Sequence, residues 1–145
     1  MQAFNPPDPG FESRVRSSFN LQQLMKTISA TLVKVSPGEV QIEIPFQEAL
    51  TQQNGFIHAG IITSIVDSAC GYAAYSLMAA ASGVLTVEFK INLLSPATGE
   101  RFVAIGRVKK PGRTLTVCEG DVFAHKEGEE KLVATMLATM MRLST

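Results

Sequence analysis

Between Glu48 and Glu88 the chain has a single Asp, Glu, Lys or Arg, and it is Asp67. Around it Ile61, Ile62, Ile65, Val66, Ala69, Ala73 and Leu77 recur at helical spacing. The remaining positions are Ser, Thr, Gly, Ala and Tyr, where a surface helix would have Lys and Glu. A helix without a charged face is buried on most sides. At about 100° per residue the apolar stripe lies on one side, and Asp67 lies on the other with Ser64 and Gly71. A carboxylate there is costly unless it is hydrogen-bonded or beside a wet cleft. Desolvation would raise its pKa and suit it to work as a general base. The alternative, open on the residues alone, is an Asp that ties the helix to a neighbouring loop.

His58 comes just before this helix. It can brace the preceding loop, or it can belong to a site at the helix end. In the second case the N–H groups of Ala59, Gly60 and Ile61 are free and carry the positive end of the helix dipole. Such donors polarise a carbonyl oxygen and stabilise an oxyanion, and Gly60 would let a ligand come close to the backbone. His58 and Asp67 are nine residues apart, roughly 13 Å along a helix. That argues against a His–Asp dyad within one chain and fits a long substrate group lying along the helix, or two ends of one cleft.

Other chemistries have less support. Cys70 and Cys118 have no partner spacing for a nucleophile pair, and two His with two Cys make no zinc pattern. There is no Gly-x-Ser-x-Gly elbow, phosphate loop or dinucleotide fingerprint. The basic turn Lys109-Lys110-Pro111-Gly112-Arg113 is either simply solvated or holds phosphates.

The elements that must position these residues follow from periodicity and punctuation. Residues 1–9 carry three prolines and read as an arm. Gly10 to about Thr27 is predicted helical, with Phe11, Val15, Phe19, Leu21, Leu24, Met25 and Ile28 as its apolar stripe. Ala30–Val35 and Val40–Ile44 form a hairpin around Ser36-Pro37-Gly38-Glu39. The long helix is predicted from Ala59 to about Ala81, with Gly83 as its C′ residue. Four strands follow: Val84–Leu94, Glu100–Lys109, Arg113–His125 and Lys131–Leu143. Strands grouped apart from helices indicate an α+β fold with an antiparallel sheet, not a Rossmann domain.

Composition narrows the partners. A formal net charge of zero without long runs of one sign argues against nucleic acid. The run Ser68–Ala81 is too short and too rich in small residues to span a bilayer. The first residues show no basic-then-apolar leader, and two isolated thiols suit a reducing compartment, so a cytoplasmic location is expected. A charged share of only 18% suggests that a second copy covers apolar surface.

The order of elements resembles the hotdog fold, a curved antiparallel sheet wrapped around a long central helix. Gly55-Phe56-Ile57-His58-Ala59-Gly60 followed by Asp67 is similar to the PaaI-type (phenylacetyl-CoA) thioesterase family. That family has Gly-x-x-His-Gly-Gly and an Asp nine residues after the His. Thr86-Val87-Glu88-Phe89 running to Ser95-Pro96, and Gly112-Arg113-Thr114-Leu115, are further matches. Hotdog dehydratases use a longer His-to-acid spacing, which this sequence does not show.

The resemblance implies an acyl-CoA thioesterase acting on an aryl- or medium-chain acyl group. Coenzyme A would enter as part of the substrate, and no other cofactor or metal is implied. Asp67 would be general base or nucleophile, and the Ala59 N–H would bind the thioester oxygen beside His58 and Gly60. Thr86 would position water, reaching in from the other subunit. Gln52, where the family has Asn, would hold water or thioester, with Gln53 or Asn54 sharing the role. Ser95, Lys110, Gly112, Arg113 and Thr114 would line the coenzyme A tract. Residues 1–27 would be an arm and helix, and 28–145 one hotdog domain. The domain would assemble as a homodimer or homotetramer with the active site at the subunit interface. A non-catalytic acyl-CoA- or lipid-binding protein on the same fold is the alternative.

Overall fold

The computed structural model describes residues 2–144. Two short helices, α1 (Phe11–Leu21) and α2 (Gln23–Thr27), stand where one was expected. The break is at Gln22, whose backbone is extended (φ −75°, ψ 106°) and whose N–H bonds the Phe19 carbonyl. The turn this makes buries Phe19, Met25 and Ile28 together. Leu21 and Leu24, expected in the apolar stripe, are left exposed, Leu21 by 77%.

Six strands follow the predicted order. They are β1 (Thr31–Ser36), β2 (Glu39–Pro45), β3 (Ser82–Leu93), β4 (Arg101–Lys110), β5 (Leu115–Lys126) and β6 (Glu129–Ser144). They form one antiparallel sheet in the order β1-β2-β4-β5-β6-β3. The central strands alternate: Cys118, Gly120, Val122 and Ala124 of β5 are buried with Met136, Ala138 and Met140 of β6. That face receives the long helix α3 (Ala59–Tyr75), whose Ile62, Ile65, Val66, Ala69 and Ala73 complete the core. This is the α+β hotdog arrangement.

Two glycines set how closely α3 approaches the sheet. A Cβ on Gly106 would come within 2.3 Å of the Ala69 backbone, and one on Gly120 within 2.5 Å of Val66 Cγ2. Backbone cannot yield as a side chain can. Gly106→Ala should therefore cost more than the ~3 kcal/mol of ordinary overpacking. At this size that is a fall of roughly 10 °C in Tm, measurable by thermal melting.

Helix α3 stops at Tyr75 instead of running to Ala81. Arg14, on α1, explains the early end. One of its terminal nitrogens donates to the Tyr75 and Met78 carbonyls at 3.2 and 2.7 Å, and its guanidinium stacks 4.2 Å from the centre of the Tyr75 ring. Ser76, fully buried, donates to the Ala73 carbonyl and accepts from Gly38 N–H. The carbonyls that would continue the helix thus find other partners. Gly83 is no helix cap: it pairs with Leu143 in the β3–β6 ladder.

Strand β3 forms one edge of the sheet. None of its residues is buried, and Leu85, Val87 and Phe89 are each exposed by about half. Its ladder to β6 is interrupted by a bulge between Thr86 and Glu88.

Candidate active site

The start of α3 is more fully committed than the sequence suggests. His58 is its N-cap, and His58 Nδ1 accepts the Gly60 N–H at 2.8 Å. Ile61 N–H bonds the His58 carbonyl at 3.0 Å. Of the three donors expected to be free, only the Ala59 N–H is without a recorded acceptor among the described residues. Because Nδ1 accepts, a neutral His58 carries its proton on Nε2. The absence of a side chain at Gly60 serves the His58 ring, which a Cβ there would meet at 3.0 Å, rather than an incoming ligand.

Gln52 faces the same region. Its Oε1 accepts the Asn54 N–H, and its own N–H bonds the Phe56 carbonyl. With the oxygen engaged, the Gln52 amide presents Nε2 as a donor. Gln52, Phe56, Ala59, Ile62, Leu93 and Ser95 line a mainly apolar cleft of about 390 Å³. Gln53 and Asn54 are exposed, and Asn54 contributes through its backbone.

Asp67 lies two turns further along α3, half-buried in a second cleft of about 180 Å³. Thr86 Oγ1 donates to Asp67 Oδ1 at 2.7 Å. Thr86 therefore reaches Asp67 within one chain. Pairing of β3 with β6 puts Thr86 opposite the buried Met140, on the face that α3 covers. Burial raises the Asp67 pKa above the ordinary value, and the Thr86 hydrogen bond lowers it by less. One carboxylate oxygen is engaged and the other is left to accept from water. A carboxylate so placed can take a proton from a bound water or attack a carbonyl itself.

The coenzyme A residues expected from the resemblance are not brought together in one chain. Ser95 shares the Ala59 cleft. Lys110, Gly112, Arg113 and Thr114 sit at the β4–β5 turn, where the Thr114 carbonyl accepts from Arg142 N–H. The ladders run Thr86–Met140–Thr116, so that turn is at the Asp67 end of the sheet. The Gly112 site has a structural reason, since a Cβ would come within 2.0 Å of the Leu115 carbonyl.

Cys70 and Cys118 are buried free thiols. Burial pushes Cys70 far up and Cys118 up to about 12, which removes both as nucleophiles. Among the described residues no three His, Cys, Asp or Glu converge as metal ligands, and no helix is long and apolar enough to cross a membrane. Ser18, Gln22 and Tyr72, which also line the Asp67 cleft, were not anticipated. Only contacts between distant segments reveal them.

The family model for the Thioesterase superfamily matches residues 54–131, more than half the chain and both candidate clefts' helix. The chain belongs to that family. A thioesterase family protein from Silicibacter pomeroyi has a solved structure that is 51% identical with a TM-score of 0.93, covering 94% of this chain and 100% of that one. Human acyl-coenzyme A thioesterase 13 is 34% identical over 105 residues, 72% of this chain and 73% of its own length. The Escherichia coli PaaI protein from the phenylacetic acid degradation operon shares the fold, with a TM-score of 0.83 at 16% identity over 92% of this chain and 94% of that one.

Proposed function

We propose that this thioesterase-family chain hydrolyses an acyl-CoA thioester, with an aryl or medium-chain acyl group, to the free acid and coenzyme A. The observation that carries the reading is Asp67: half-buried, raised in pKa, aligned by Thr86 and open to a cleft. The relatives named as thioesterases support it.

Asp67 and the Ala59 N–H are eight residues apart on α3, roughly 12 Å at 1.5 Å per residue. They cannot act on one carbonyl from a single chain. A second copy resolves this. Its Ala59 N–H and Gln52 Nε2 hold the thioester oxygen, while Asp67 and Thr86 of the first copy hold the water. The open apolar edge at Leu85, Val87 and Phe89 supports such pairing, since an unpaired edge strand invites another. A homodimer is the smallest assembly with complete sites, and two dimers can associate into a tetramer.

In the reaction Asp67 takes a proton from water as the water oxygen bonds to the carbonyl carbon. The tetrahedral oxyanion is held by the Ala59 and Gln52 donors. Collapse breaks the carbon–sulfur bond and releases the coenzyme A thiolate, which can recover the proton from Asp67. Direct attack by Asp67 through a mixed anhydride uses the same geometry. Label found in the Asp67 carboxyl group after single-turnover hydrolysis in ¹⁸O-water identifies direct attack, because water opening the anhydride at the Asp67 carbon leaves its oxygen there and general-base catalysis does not. A cytoplasmic location fits the free thiols.

Free-thiol release from a panel of aryl- and alkyl-CoA esters tests the reading. Catalytic turnover is expected for at least one class. Stoichiometric binding without thiol release would favour the acyl-CoA- or lipid-binding alternative.

A further inference from the structure

The cleft around Asp67 has a wall that the family match does not include. The match begins at residue 54, whereas Ser18 and Gln22, on and just after α1, line the cleft together with Val84 and Thr86. The wall is polar. Ser18 Oγ is 3.3 Å from the hydroxyl of the buried Tyr72. The Gln22 amide is 3.5 Å from Ser68 Oγ through both its nitrogen and its oxygen. A well-formed O–H···O bond spans about 2.7–2.8 Å and an N–H···O bond about 2.9–3.0 Å. All of these contacts are long, so the groups are within reach of one another but weakly bonded. The backbone that presents them is fixed. Phe19 and Met25 are buried on either side of the break at Gln22, and Gln22 N–H is held by the Phe19 carbonyl.

We propose that Ser18 and Gln22 form the far wall of the acyl site and are its specificity-determining residues. They select an acyl group that ends in a hydrogen-bonding group, such as a hydroxyl, over a hydrocarbon of the same length. A hydrocarbon tail would displace water from the Gln22 amide and the Ser18 and Tyr72 hydroxyls and give nothing back. A terminal hydroxyl, as donor and acceptor, satisfies them. Sites built to hydrogen-bond a substrate group discriminate strongly against the analogue that lacks it. The inference rests on the thioesterase reading above, with the acyl group lying beside Asp67.

The test uses pairs of acyl-CoA esters of equal chain length, with and without a terminal hydroxyl. The wild-type chain, Gln22→Leu and Ser18→Ala are compared in kcat/KM, with Tm measured for each. The wild type is expected to favour the hydroxylated ester by at least about 10-fold, well within what such sites achieve. Gln22→Leu is expected to bring the ratio close to one, read as a ratio within each variant so that any general change in rate cancels. Ser18→Ala, a smaller change, should reduce the ratio in the same direction and decides the matter if Gln22→Leu lowers Tm. A preference for the plain ester in the wild type, or an unchanged ratio in folded variants, overturns the inference and leaves the thioesterase reading standing. No thiol release from any ester by the wild type removes both.

Discussion

Replacing Asp67 by Asn should lower kcat/KM by at least about 10²-fold, while at neutral pH the folded protein becomes no less stable and melts at the same or a higher temperature. The two halves have one cause. Burial raises the Asp67 pKa, so the folded state keeps this proton to a higher pH than the unfolded chain does. Between the unfolded and folded pKa values the native state therefore binds more protons. Stability is lost as pH rises through that window, and above it the ionised carboxylate is a standing cost. Asn removes the cost and still accepts the Thr86 hydroxyl, but it cannot take a proton from water. The Tm advantage of the variant should shrink toward zero as the medium is acidified below the window. Wild-type activity should fall on the acid side with an apparent pKa above that of an ordinary Asp. Melts from about pH 3, below the ordinary Asp pKa of about 3.9, up to about pH 8, and initial rates over the part of that range where the protein stays folded, measure both. A merely bracing Asp67 gives the opposite pattern: Asn lowers Tm and leaves any activity intact.

What the sequence made visible depended on the range of the interactions involved. The strands and the start of α3 rest on local alternation and spacing, and they appear within a few residues of their expected positions. Asp67 was visible because charge is absent for a long stretch on both sides of it. The end of α3 was not, because the group that terminates it is Arg14, 61 residues before Tyr75. The state of the helix start depended on the rotamer of His58, which folds back to take the Gly60 N–H. Thr86 is legible as a site residue, but its pairing with Asp67 of its own chain is not. Only the register of β3 against β6 shows that its hydroxyl reaches Asp67 directly. The same register separates Ser95 from Lys110–Thr114. Periodicity along a strand says which face a side chain takes, not which end of the sheet its neighbours occupy.

The second large effect is expected from Ala59→Pro, which replaces the oxyanion donor N–H by a ring methylene while suiting the start of the helix. Proline has no N–H, and Ala59 occupies the first position of α3, where a helix tolerates proline best. A residue before proline must be extended, and His58 already is, at φ −57° and ψ 137°. The His58 Nδ1 cap on Gly60 is untouched. Helix content and Tm should therefore stay close to wild type, while loss of the oxyanion donor lowers kcat by about 10²- to 10³-fold. Co-expression with Asp67→Asn then reports where the two halves of the site come from. In a mixed dimer one site combines Asp67 from the proline chain with Ala59 from the asparagine chain and is complete; the other lacks both. Random pairing makes half the dimers mixed, with one good site in two, so about a quarter of wild-type activity should return under two-fold symmetry. If both groups served a carbonyl within a single chain, mixing would restore nothing. The roughly 12 Å between them along α3 makes recovery the expected result.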